Sequence, residues 1–184
     1  MKKYLKILPL ILYPYAYLIW LVIYFFAFGM LEEKYYETIL DVLFVVFIVF
    51  NLYVGVITIY NAVITSRNRY TAYEVAKMNL AVKAWQIPAY IFHFIMGVLG
   101  LLMGIWGIAF LLIAITVDVI TIALTGINAI GCAIKMKKDG VVNTAVAVLM
   151  AIGSFVFCLD VIVAIVYVIL SKKKEKSILT KIPK

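Results

Sequence analysis

The chain has 184 residues, of which 67% are hydrophobic and 14% are charged, and its mean hydropathy is +1.13. Soluble domains contain about 45–50% apolar and about 25% charged residues, and a globule of this size cannot hide such an apolar excess from water. This composition excludes a soluble enzyme and a disordered chain. The net charge of +8 comes from scattered short clusters rather than from the single basic patch of a nucleic-acid-binding domain, so we expect an integral membrane protein.

Charged residues divide the chain into four apolar blocks, at 7–31, 42–66, 84–134 and 140–171. A bilayer core of about 30 Å takes roughly 20 helical residues, so the first, second and fourth blocks each fit one span. The third block would form a helix of about 77 Å, so the chain must turn back inside it. We expect this turn at 103–107, where two glycines loosen the backbone.

These blocks predict an all-α fold, a polytopic transmembrane helical bundle with five spans and a single domain over residues 1–184. The spans are expected at about 7–30, 39–64, 88–105, 109–134 and 141–170. The runs are continuously apolar rather than alternating, which favours helices over a β-barrel. In a four-span alternative, the segment 87–106 is re-entrant or interfacial.

The segment 65–86, between the second and third spans, is predicted to be an amphipathic connector. Read as a helix, it has an apolar stripe (Val75, Met78, Val82 and Trp85) surrounded by basic residues (Arg67, Arg69, Lys77 and Lys83). This pattern suits either a helix lying on anionic lipid headgroups or a connecting helix that packs on the bundle. Pro88 is then expected to open the third span, where a missing N–H costs nothing.

Basic residues set the expected orientation, because they gather on the cytoplasmic side of a membrane. With five spans and a cytoplasmic N-terminus, most of the basic residues lie inside and the acidic loop at 32–37 lies outside. The basic tail 171–184 then also lies outside, whereas the four-span alternative places it inside and satisfies the rule better. We expect a multi-pass protein of the cell membrane with a cytoplasmic N-terminus and a tail beside lipid headgroups.

Polar side chains in the fourth predicted span recur at helical spacing, at Asp118, Thr121, Thr125 and Asn128. Positions i, i+3, i+7 and i+10 share one face of a helix, and a polar side chain in lipid needs a partner or a cavity. The face therefore predicts the lining of a ligand- or ion-binding site. The alternative is that these groups only join helices, at about 0.6–2 kcal/mol for each hydrogen bond.

His93 and Asn51 are expected at a depth similar to that of Asp118. Counted from the turn, His93 and Asp118 both lie about 18–20 Å along their helices, and Asn51 lies at a similar level on the second span. We therefore expect the three side chains to meet near mid-membrane, where they could take up a proton or hold a cation. Asp160, in the last span, is a further candidate for the same cluster.

Glycines recur around the third span at the same spacing, at Gly97, Gly100, Gly104 and Gly107. A stripe of this kind lets a neighbouring backbone approach closely. It is the expected helix-packing surface, and the expected docking face if the protein has a membrane partner.

The octapeptide Lys83-Ala84-Trp85-Gln86-Ile87-Pro88-Ala89-Tyr90 resembles a stretch in small multi-helix integral membrane proteins of low-GC Gram-positive bacteria. The resemblance covers under a tenth of the chain. It implies a bacterial source and a four- or five-helix membrane fold, and it implies no activity.

The sequence is compatible with three kinds of function. The first is a small membrane protein with a polar intramembrane cavity that binds or transports a small ligand, a cation or a proton. The second is a non-catalytic accessory, immunity or assembly subunit, with a second copy or another membrane subunit as partner. The third is a membrane enzyme, which we do not expect, because the sequence has no catalytic motif, no nucleotide-binding motif and no metal-ligand spacing. We accordingly expect no cofactor, no metal and no nucleic-acid partner.

Overall fold

The computed structural model describes residues 7–30, 35–67 and 69–180. These residues form helices and no strands, which confirms the expected all-α fold: α1 (Leu8–Met30), α2 (Tyr36–Thr65), α3 (Ala72–Leu102), α4 (Ile105–Lys138), α5 (Thr144–Gly153) and α6 (Leu159–Leu179). The lysines expected before the first span, part of the expected acidic loop and the last four residues of the tail lie outside the described residues.

Three helical stretches are long and apolar enough to cross a membrane: α2, α3 and the part of α4 at Leu111–Lys138. The apolar stretch Leu8–Trp20 of α1 is shorter, and so is α5. The described part of the chain is therefore a helical bundle with three candidate spans, whereas the sequence predicts five.

Helices α3 and α4 form a hairpin whose turn lies where the sequence predicts it. Gly104 adopts φ +64°, a left-handed conformation that glycine enters at little cost. Beyond the turn, a Cβ on Gly107 would overlap the backbone carbonyl of Gly100, and a Cβ on Gly97 would lie 3.2 Å from Leu111. The glycine stripe thus packs within the chain. It is divided between α3, the turn and α4 and does not lie on the third span alone.

Helix α3 begins at Ala72, so the predicted boundary between a connector and a span opened by Pro88 is wrong. A capping box starts the helix, because the Thr71 hydroxyl accepts from the Glu74 N–H at 3.2 Å and the Glu74 carboxylate accepts from the Thr71 N–H at 3.1 Å. Pro88 lies inside the helix. Tyr15 of α1 donates to the carbonyl of Trp85 at 2.5 Å, in the turn before the proline.

The amphipathic stripe of the predicted connector lies partly in the core. Val75, Met78 and Val82 are buried, whereas the Trp85 side chain is 63% exposed. The basic residues also differ, since Lys77 is exposed and Lys83 is fully buried. This part of α3 packs on the bundle, as in the second of the two alternatives above.

The helix predicted at 141–170 is two helices, and this expectation is also corrected. Helix α5 ends at Gly153, and α6 begins after Cys158, whose φ is +64°. Adjacent glycine and serine residues are common sites of helix bending, and Gly153 precedes Ser154 here. Phe155, in the break, packs against Gly126 of α4, where a Cβ would lie 2.6 Å from the ring.

Helix α1 is joined to α3 by a side chain that compensates for a proline. Because Pro14 has no N–H, the carbonyl of Leu10 loses its helical partner. The Gln86 amide donates to that carbonyl at 2.8 Å. This contact satisfies a backbone group that has to be paired internally in the core of a bilayer.

Candidate functional site

The polar face of α4 lies against α3, and three of its four predicted residues have a partner there. Asp118 pairs with His93, Thr125 accepts a hydrogen bond from Lys83, and Asn128 donates to Asn79 at 3.4 Å. The fourth, Thr121, is buried, and its hydroxyl donates to the carbonyl of Val117. The polar face that the residue spacing predicts thus lies at the interface between the two helices of the hairpin.

Lys83 and Asp160 form an ion pair inside the bundle. The Lys83 Nζ donates to Asp160 Oδ2 at 2.5 Å, and the two side chains are 0% and 2% exposed. The same ammonium donates to the Thr125 hydroxyl, which in turn donates to the backbone carbonyl of Thr121 at 2.9 Å. Charges without partners are very costly in such surroundings, so each of the two groups depends on the other as its counter-charge.

The break between α5 and α6 places Asp160 in the first turn of α6. Its Oδ1 accepts from the N–H of Val161 at 2.8 Å. Asp160 thus lies at the positive end of the α6 dipole, a common position for a carboxylate. Half-helix ends of this kind are used as ion and substrate sites in transporters built from discontinuous helices.

His93 and Asp118 form a second pair on the same face of α3. The His93 Nδ1 and Asp118 Oδ1 atoms are 2.6 Å apart, with side-chain exposures of 2% and 19%. The edge of the Tyr17 ring, from α1, contacts the imidazole with ring centroids 6.0 Å apart. His93 and Lys83 are ten residues apart, which is about 15 Å along the helix.

Tyr90 lies between the two pairs. Its ring meets the Phe157 ring edge to face, with centroids 5.7 Å apart. Its side chain borders both the cleft that has Asp118 in its wall and the cleft that has Asp160 in its wall.

Four buried side chains on this face of α3 each have a polar atom that makes no hydrogen bond within the described part of the chain. They are Asn79 (Nδ2), Gln86 (Oε1), Tyr90 (Oη) and His93 (Nε2). Native interiors rarely leave such atoms unpaired. A row of them along one helix is a surface that water, a proton or a polar ligand can use.

Two clefts open beside Tyr90 and share its ring with those of Phe94 and Phe157. One, of about 200 Å³, is lined by His93 and Asp118. The other, of about 290 Å³, has Asp160 in its wall. A further cleft of about 360 Å³ between α1, α2 and α4 has aromatic and aliphatic walls and no charged side chain.

Only two of the three side chains that the sequence predicts to meet near mid-membrane are in contact. His93 and Asp118 are in contact, whereas Asn51 accepts a hydrogen bond from Tyr13 at 2.6 Å and donates to the carbonyl of Phe47. Asn51 therefore joins α1 to α2 and stays within its own helix pair. Asp160, on α6, also contacts the polar face of α3, where its partner is Lys83.

Sequence reasoning missed Lys83, Gln86 and Tyr90. The sequence places Lys83 in the polar connector, because it stands next to the apolar block at 84–134. The spacing of Lys83, Gln86, Tyr90 and His93 at i, i+3, i+7 and i+10 is nevertheless that of one helical face. This spacing could have identified a polar face on α3 that packs against the polar face of α4.

Within the described ranges, no group of three or more His, Cys, Asp or Glu side chains is arranged to hold a metal ion. Cys132 is buried and Cys158 is exposed, and neither is in a disulfide. Comparisons of the chain with protein families, with curated proteins and with solved structures found no match.

Proposed function

We propose that the chain is a small membrane transport protein that exchanges protons, and a solute coupled to them, at the polar interface between α3, α4 and α6. The observation that carries the proposal is the presence of two ionisable pairs on one buried face of α3, one on each side of Tyr90. Ionisable residues within membrane helices are costly and typically mark proton relays and substrate pathways.

A purely structural role explains these pairs less well. A buried ion pair costs so much desolvation that replacing it by apolar side chains is often neutral or stabilising. Stability therefore gives little reason to keep Lys83 and Asp160 in the bundle. Proton exchange gives one, because each pair combines a carboxylate with a base.

The proposal includes five membrane crossings, with a cytoplasmic N-terminus. Helix α1 makes the first crossing, and α5 and α6 together make the last as one discontinuous span. The irregular backbone at 154–158 is tolerated at membrane depth because it packs against Gly126 and borders a cleft. The exposed lysines at 172–174 then lie beside lipid headgroups.

An accessory or assembly subunit is the alternative, and it has less support. Its expected docking face was the glycine stripe. Gly100 and Gly107 pack on each other within the hairpin, and Gly97 packs on Leu111, so they are not available to a partner helix.

Charge displacement after a pH step tests the proposal. Protein reconstituted in vesicles on a solid-supported electrode is exposed to a sudden change of pH, and the transient current is recorded. We expect a current in the wild type and its loss in Asp118→Asn, because a proton that binds inside the membrane field moves charge. Asp41→Asn, an identical change at an exposed position of α2, is the control and keeps the current. Equal currents in the wild type and Asp118→Asn contradict the proposal.

A further inference from the structure

The cleft at Asp160, which we call the Asp160 cleft, combines one carboxylate with aromatic and aliphatic walls. It is lined by Ile87, Tyr90, Ile91 and Phe94 of α3 and by Phe157, Cys158, Asp160 and Val161 of the break and α6. Its volume is about 290 Å³, the size of a small organic molecule. Pockets of this kind use apolar walls for affinity and one polar group for selectivity.

The rim of the Asp160 cleft lies on the outer surface of the bundle. Ile91 is 55% exposed, Phe94 is 71% exposed and Phe157 is 54% exposed. In the proposed membrane protein these side chains face lipid, so an occupant enters from the bilayer. The occupant is therefore lipophilic.

The ionisable group nearest the cleft on this side is an anion. Asp160 is in the cleft wall, although its side chain is only 2% exposed and is paired with Lys83, which is fully buried behind it and does not line the cleft. The faces of aromatic rings also attract cations, and Tyr90, Phe94 and Phe157 surround the opening. Carboxylate and rings together disfavour an anion.

We propose that the Asp160 cleft binds a lipophilic organic cation and that Lys83 releases its proton when the cation binds. This inference rests on the proposed function and names the substrate class of the same site. A cation and the Lys83 ammonium beside one carboxylate would leave a net positive charge in a medium of low dielectric constant, which is unfavourable. In the exchange, Nζ changes from –NH₃⁺ to –NH₂, its proton passes to the bulk water and one positive charge arrives, so the net charge of the site is conserved.

Few other groups can take part in this exchange. The titratable side chains that face Asp160 in the described residues are Lys83 and Tyr90 of α3 and Cys158 in the break. Asp118 and His93 belong to the neighbouring cleft, on the other side of the Tyr90 ring. Lys83 is the one cationic side chain in contact with Asp160, so it is the group that the arriving cation replaces.

Tetraphenylphosphonium is a suitable probe, with triphenylphosphine oxide as an uncharged control. Binding to the detergent-purified full chain is measured together with proton release in weak buffer. We expect one proton to be released for each cation bound. We also expect the apparent Kd to fall about tenfold for each unit by which the pH is raised, as long as Lys83 is charged in the free protein. Asp160→Asn should weaken binding at least about tenfold. Lys83→Met should bind the cation without releasing a proton.

Cys158 gives a readout that needs no substitution. It is exposed in the cleft, whereas Cys132 is buried, so a membrane-permeant maleimide should label Cys158. We expect tetraphenylphosphonium, but not the oxide, to slow this labelling in the wild type. This result is independent of whether Lys83→Met folds.

Two results overturn the inference: equal binding of the cation by the wild type and Asp160→Asn, or equal protection of Cys158 by the cation and the oxide. If either is found while the current after a pH step persists, the proposed function stands and the substrate class is wrong. If that current is absent while Asp160-dependent binding is found, the cleft binds cations and the transport proposal fails.

Discussion

The Lys83–Asp160 pair gives a prediction with a definite magnitude. Asp160→Asn leaves the ammonium of Lys83, which is 0% exposed, without its counter-charge. Removal of one partner of a buried pair costs about 3–5 kcal/mol, so the free energy of unfolding should fall by that amount. Lys83→Met should cost a similar amount, because it leaves the Asp160 carboxylate buried and uncompensated.

The double variant Lys83→Met/Asp160→Asn separates charge from packing. It removes both charges and nearly preserves the volumes, so no uncompensated charge stays in the bundle. We therefore expect it to recover most of the stability that either single variant loses. The assay is reversible unfolding of the four proteins in mixed micelles, followed by circular dichroism.

The same substitution at an exposed carboxylate is the matched control. Asp41, in α2, is exposed. Asp41→Asn should change the free energy of unfolding by no more than about 0.5 kcal/mol, as surface substitutions usually do. The ion-pair explanation is refuted if the double variant is as unstable as the single variants, or if Asp160→Asn costs no more than Asp41→Asn.

Three further predictions use the same unfolding assay. Gly107→Ala should destabilise the hairpin by about 1–3 kcal/mol, since its methyl group would overlap a backbone carbonyl. Gly29→Ala, in a helix and with open space around it, should be neutral or stabilise by up to about 1 kcal/mol. Equal effects of the two substitutions would contradict the close packing. Gln86→Leu should cost about 1–3 kcal/mol because it leaves a buried carbonyl unpaired. Adding Pro14→Ala to this variant should restore most of the loss, because the alanine returns the helical N–H. If the effects of the two substitutions simply add in the double variant, Gln86 and Pro14 are not coupled. Thr71→Ala should cost about 1 kcal/mol through loss of the N-cap, and no change would indicate that α3 does not depend on this cap.

The hairpin and the polar face of α4 could be predicted because they depend on local rules. Residue spacing alone places Asp118, Thr121, Thr125 and Asn128 on one helical face. A long apolar block with a pair of glycines also predicts the turn, and distance from the turn predicts that His93 and Asp118 lie at one level. Both elements are set by chain geometry rather than by the rest of the bundle.

The role of Lys83 and the break at 154–158 could not be predicted in the same way. A lysine at the end of an apolar block usually marks the membrane surface, and only the packing of α6 against α3 brings Asp160 to it. The break contains no proline and no charge. Asn51 was misplaced because its partner, Tyr13, lies on a helix whose rotation the sequence does not define.

Proton uptake at the His93–Asp118 pair can be observed by infrared difference spectroscopy between acid and neutral pH, because this method detects protonation of a carboxylate inside the lipid-embedded protein. We expect a carboxyl signal in the wild type that is lost in Asp118→Asn and retained in the control Asp41→Asn. A spectrum of Asp118→Asn that is identical to that of the wild type would contradict proton uptake at the His93–Asp118 pair.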